Sequence, residues 1–327
     1  MVCDVVGLAP PPRVSPFRYA VRSMDERPPA SPAARWLPGV AWAVMLAASE
    51  LPEILLHSAG VKVPDGLGWG KLALLLVFLC ATRAARSLRP LFGYAVGLSA
   101  LFAALNLTGL ARDTAWFQLR FNHPGIGFFA GYAAVFVLDL AVAGAVLAAL
   151  WLLFRRREEF YFAGGDFRAP IVPVPWLGIR RPEPWRPFVP IFAGAAALCV
   201  AVPTLLGLRP SGEALSRALP LLPAVLLFAA VNAFTEEVYF RASFLSTLAG
   251  PVGRAHALPI TVVFFGLAHW LHGSPPGLLG AAMTGFLAFL LGKAMLETKG
   301  LLAPWFIHFV PDVVIFASYA LAFAAPR

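Results

Sequence analysis

The 327 residues are 59% hydrophobic and 13% charged, with a mean hydropathy of +0.75. Soluble globular domains carry about 25% charged and about 45–50% apolar residues, so soluble, disordered and collagen-like chains are excluded. The net charge of +9 does not point to nucleic acid, because Lys and Arg collect in loops between apolar runs and no basic stripe alternates with aromatic residues.

Residues 1–35 are rich in Pro, Arg and Ser, lack a helical period and read as a flexible cytoplasmic tail. They lack the apolar core and cleavage site of a signal peptide. Apolar runs follow at 36–57, 66–82, 90–110, 127–154, 187–207, 220–247, 257–270, 277–296 and 300–322. Crossing the hydrocarbon core takes about 20 helical residues. The runs at 66–82 and 257–270 are short of that, so the expected fold is an all-α polytopic membrane helix bundle of eight or nine transmembrane helices.

Residues 36–154 form an N-terminal four-helix membrane region of unknown role. In it, Glu50 and Glu53 flank Pro52 near the end of the first run, and Asp139 lies deep in the fourth with no local partner. Residues 155–186 carry RRREE and several prolines. They read either as an interfacial segment with Trp176 and Trp185 at headgroup level or as a solvated cytoplasmic linker. A second membrane domain spans 187–327. With nine spans, 18 Lys and Arg fall on the side of the tail and Arg155–Arg157 and seven on the other, which makes the tail side cytoplasmic. No internal repeat of the transporter kind is visible. Cys3, Cys80 and Cys199 are far apart and form neither a disulfide framework nor a thiolate metal site.

Ionisable side chains at membrane depth are costly and need partners, and the second half concentrates them. The sixth run holds Asn232, Glu236, Glu237 and Arg241. Glu237 and Arg241 are four apart on one helix face, the better orientation for an ion pair. Glu236 points about 100° away and is left without that partner, as a general base or acid would be; a structural ion-pair knot is the other reading. The seventh run places His269 four residues after Phe265, with His272 one turn on, beside Gly273. The ninth places His308 and Asp312 one turn apart around Pro311, where a carboxylate can orient an imidazole.

Taken in order, Glu236-Glu237-Val-Tyr-Phe-Arg241, Phe265-Gly-Leu-Ala-His269 and His308-Phe-Val-Pro-Asp312 resemble the EExxxR, FxxxH and HxxxN/D motifs of the CPBP family. That family comprises CAAX prenyl proteases and bacteriocin-processing (Abi) membrane proteins. The Leu177-Gly-Ile-Arg-Arg-Pro182 run is similar to the lead-in of bacterial members. The resemblance covers about 175–322, makes 187–327 a CPBP-like catalytic domain and implies an intramembrane endopeptidase. It implies Glu236 as general base for water, His269 as a group that holds or polarises that water, and His308 with Asp312 as the oxyanion-stabilising pair. Glu237 and Arg241 become the supporting ion pair. Asp312 stands where Asn is usual; an ionised Asp cannot donate to an oxyanion, so its expected role is to orient His308.

No Ser- or Cys-based nucleophile is visible. A metal-free glutamate-type protease with no cofactor is favoured; a zinc site of Glu236, His269 and His308 stays possible, without the HExxH spacing of zincins. The expected partners are the lipid bilayer and a protein or peptide bearing a hydrophobic tail or leader. Ala-, Arg-, Gly- and Pro-heavy usage suggests a bacterial cytoplasmic (inner) membrane. There the plausible work is cutting a leader peptide or a C-terminal sorting helix, as myxosortase-like and exosortase-associated relatives do. The alternative within the family is a non-catalytic immunity or scaffold protein. A proton-coupled transporter, the third class, lacks support from repeats.

Overall fold

The computed structural model describes residues 35–123, 125–273 and 275–325; the expected tail, but for Arg35, and Cys3 lie outside them. The first apolar run is two helices, α1 (Leu37–Ala48) and α2 (Leu51–Ser58), meeting at 54°. Pro52, in the first turn of α2, has no N–H with which to continue the α1 ladder, and Ser49 Oγ accepts from Leu51 N across the break at 3.2 Å. Then come α3 (Leu67–Ala84), α4 (Phe92–Asp113), the short α5 (Ala115–Phe121) and the 27-residue α6 (Phe128–Phe154). Thr114 caps α5, its hydroxyl accepting from Phe117 N.

The second half holds α7 (Trp185–Leu208), α8 (Gly212–Ala218), α9 (Leu222–Glu236), α10 (Ser243–Leu248), α11 (Arg254–Ala268), α12 (Leu278–Thr298) and α13 (Leu302–Ala324). Among the described residues, seven helical stretches are long and apolar enough to cross a membrane, with α8 to α10 counting as one, and the bent α1–α2 pair makes an eighth. The chain is a polytopic membrane protein. The run at 66–82 is a full 18-residue span. The run at 257–270 stays short: α11 has 15 residues, fewer than the about 20 a full span takes.

Three apolar clusters hold the bundle. The largest joins the two halves: Leu37, Met45, Tyr94 and Leu98 pack with Val238, Phe244, Leu245 and Ile260. A second, of Ile171, Ile179 and Trp185 with Leu291 and Ile307, fixes the connection after α6 against α12 and α13. The third is aromatic, with Phe136, Phe228 and Phe316 from α6, α9 and α13 within 6.4 Å of one another, centroid to centroid.

The connection at 155–186 folds back over the α12–α13 turn. Asp166 N donates to Thr298 O (2.7 Å) and Leu301 N to Ala163 O (2.8 Å). The backbones meet at two glycines: a Cβ on Gly300 would stand 2.4 Å from Gly165 Cα, and Gly165 itself has φ +81°. The two tryptophans expected at headgroup level divide here. Trp176 is exposed, its ring on Phe289. Trp185 is fully buried because its indole N–H finds Glu297 at 3.0 Å.

Gly266 sets the distance between α11 and α12, since a methyl there would lie 2.8 Å from the Ala281 carbonyl oxygen. Backbone cannot yield as a flexible side chain can. Gly266→Ala is expected to cost about 1–3 kcal/mol, the usual range for overpacking, read as a lowered thermal midpoint in detergent.

Candidate active site between three helices

The helix that carries the acid pair does not stay α-helical. From Glu237 to Ala242 it widens into a π-helical turn, a feature frequent at functional sites because it redirects side chains and backbone groups. The Phe240 carbonyl of that turn accepts from the Thr261 hydroxyl on α11, and the Tyr239 carbonyl from Ser243. On the other side, Trp305 Nε1 of α13 donates to Ala230 O of α9 at 3.0 Å. These bonds bring α9, α11 and α13 together around the π turn.

His308, 4% exposed, stands at the centre. Its Nδ1 is 2.9 Å from Glu237 Oε1, and its Nε2 is 3.5 Å from Glu236 Oε2 and 3.8 Å from Asp312 Oδ1. A carboxylate accepts, so Nδ1 donates to Glu237. Asn232, one turn before Glu236, gives its amide to Asp312 Oδ2 at 3.1 Å and to Glu236 Oε1 at 3.4 Å. Five groups from two helices thus form one network, and the carboxylate that orients the imidazole is Glu237 rather than Asp312.

Beneath the network lies Arg241, wholly buried, with Nη1 3.3 Å from Glu237 Oε1. The expected i,i+4 pair is present. Among the described residues, none of the three guanidinium nitrogens has a hydrogen-bond acceptor. The guanidinium lies instead over the ring of Phe265, 3.9 Å from its centroid, a desolvated cation–π contact of the kind worth about 2 kcal/mol. Phe265 also meets the rings of His269 (4.3 Å) and His308 (6.0 Å, edge-on). The first residue of the FxxxH motif is therefore a hub that touches the other two motifs, a role its apolar surroundings in the sequence did not reveal.

His269 is placed differently from His308. It follows the last residue of α11, and its Nδ1 is 2.9 Å from the Phe265 carbonyl. No hydrogen bond or ion pair joins it to Glu236 or His308 among the described residues. Nor do any three His, Cys, Asp or Glu side chains among those residues stand together as a metal-ligand set. Glu236, His269 and His308 thus do not fit a zinc centre in this arrangement, and no step is routed through a metal below.

A chamber of about 520 Å³ opens in front of Glu236 and Asn232. Its far wall comes from the first half: Glu50 and Glu53 at the α1–α2 break, Gly68, Trp69 and Lys71 of α3, and Leu105 to Asp113 of α4. Acids with no partner near them in sequence find theirs across helices. Glu53 receives Lys71 Nζ at 2.5 Å, and the same ammonium donates to Ser49 O. Asp139 meets Arg112 at 2.5 Å, and its carbonyl accepts from the Tyr239 hydroxyl. Glu50 Oε2 is buried, with no hydrogen-bond partner among the described residues.

Residues 218–314 match the family model described as type II CAAX prenyl endopeptidase Rce1-like. The segment includes all three motifs and every member of the network, so the likeness to that family falls on the part of the chain that builds the site. Neither the curated proteins nor the solved structures contain a match to the chain.

Removing one partner from a buried ion pair strands the other. Arg241→Ala is expected to lose about 3–5 kcal/mol of stability, measured by denaturant unfolding in mixed micelles. Cutting the exposed Lys62–Asp65 pair by Lys62→Ala should leave the same curve in place.

Proposed function

We propose that the protein is an intramembrane endopeptidase that hydrolyses a peptide bond of a membrane-anchored polypeptide, one bearing a hydrophobic tail or leader. The observation that carries this reading is the pairing of Glu236 Oε2 with His308 Nε2 at 3.5 Å on the wall of a 520 Å³ chamber. That is an acid–imidazole pair with room for water and a peptide strand before it.

Glu236 takes a proton from a water molecule as the water oxygen bonds to the scissile carbonyl carbon. Asn232 fixes the Glu236 carboxylate from the side. Negative charge develops on the carbonyl oxygen, and His308 meets it with its Nε2–H. The ring is held for this by Glu237 at Nδ1, and Glu237 is held by Arg241. Asp312 helps through its charge beside Nε2 and by anchoring Asn232. His269, engaged at Nδ1 by a carbonyl, presents Nε2 as an acceptor that can hold the attacking water. Glu236 then passes its proton to the amide nitrogen, the C–N bond breaks, and a new carboxyl and a new amine are released.

The test is a comparison of protein termini in membrane and secreted fractions, wild type against Glu236→Gln at matched expression. New termini present only in the wild type are expected, with the rate lowered about 10²–10⁴-fold in the variant, the usual contribution of a positioned general base. Cleavage by the purified protein should persist in a metal chelator. Identical termini in the two strains would transfer support to the immunity or scaffold reading, for which the same buried charges serve folding alone.

A further inference from the structure

The faces of the bundle differ in charge, and the chamber's exposed acidic lining residues lie at one of them. One face gathers the start of α1, the α3–α4 turn, the end of α6 with 155–186, the α10–α11 turn and the α12–α13 turn. Contacts across it confirm the grouping: Trp42 Nε1 lies 3.4 Å from His256 Nδ1, the Lys299 ammonium 5.8 Å from the Tyr161 ring centre, and Gly93 of α4 faces Thr247 and Leu153. The opposite face gathers the loop before α3, the end of α4 with α5, the α7–α9 connection and the end of α11. Among the described residues, fourteen Lys and Arg belong to the first face and six to the second. Such a bias puts the first face in the cytoplasm. Because the two halves share one core, the orientation of the first half fixes that of the second.

The chamber's rim is formed by Asp65, Trp69 and Asp113, at the start of α3 and the end of α4, all on the second face. Asp65 is 89% exposed in its side chain, and Asp113 is exposed too. Toward the basic face the chamber is stopped by Tyr239, Phe240 and Phe264, packed through the Phe240–Phe264 ring contact at 5.8 Å. The chamber's exposed acidic lining residues, Asp65 and Asp113, therefore lie at the second face.

We infer that the active chamber opens to the non-cytoplasmic side of the membrane and that its substrate is the translocated part of a membrane-anchored polypeptide. The substrate half of this inference rests on the proposed peptidase activity; the direction of opening does not.

The experiment uses the full chain with Cys3, Cys80 and Cys199 changed to Ser, expressed in bacterial cells and taken as right-side-out and inverted membrane vesicles. Asp65→Cys reports the rim, Gly109→Cys the chamber wall and Arg156→Cys the basic face. The probe is a membrane-impermeant maleimide. In right-side-out vesicles Asp65→Cys and Gly109→Cys should label at least tenfold faster than Arg156→Cys, and inverted vesicles should reverse the order. Labelling of the rim from the cytoplasmic side, or equal labelling from both, overturns the inference. Outward labelling with unchanged termini in Glu236→Gln would remove the peptidase, and the substrate class with it, while leaving the orientation standing. Cleavage together with inward labelling would do the opposite.

Discussion

A guanidinium with no exposed surface is the costliest group in this bundle, and the site is built around making Arg241 tolerable. A charge at low dielectric is held by pairing or it is not held. Here the pairing is incomplete by hydrogen-bond standards, since Glu237 is the lone anion in contact and no nitrogen of Arg241 finds an acceptor among the described residues. The deficit is offset by the face of Phe265 at 3.9 Å. From this follows the rest of the geometry. Glu237 must lie inward to neutralise Arg241, its oxygen is thereby aimed at His308 Nδ1, and the imidazole turns its other nitrogen to Glu236. The π turn accommodates the arrangement, placing Glu237, Val238, Tyr239 and Arg241 all within the buried interior, more inward-facing residues than one face of a regular α-helix supplies.

Much of this was legible in local spacing. Hydropathy located the spans, i,i+4 spacing located the Glu237–Arg241 pair, and the order of three motifs located the helices that would have to meet. What escaped were relations across helices. Glu237 and His308 are 71 residues apart, and nothing in either run says that the second acid of the pair, not Asp312, holds the ring. Asp139 looked unpartnered because Arg112 lies 27 residues earlier on another helix. Phe265 stood in the FxxxH motif with no role of its own, its quadrupole mattering only once a cation lies above it. A π turn has the same composition as the α-helix it interrupts and leaves no mark on periodicity across six residues.

The division of labour along the chain has a physical consequence. Every group that would touch the scissile bond lies within 218–314, the segment with the Rce1-like match. The wall that faces those groups does not: Trp69, Asn106 and Asp113 come from α3 and α4, and Glu50 from the break after α1. The two walls of the chamber thus come from different halves of the chain, which pack together through the shared core of Tyr94, Leu98, Val238 and Phe244. The network tolerates little alteration: Arg241 fails without Glu237 as surely as His308 loses its orientation.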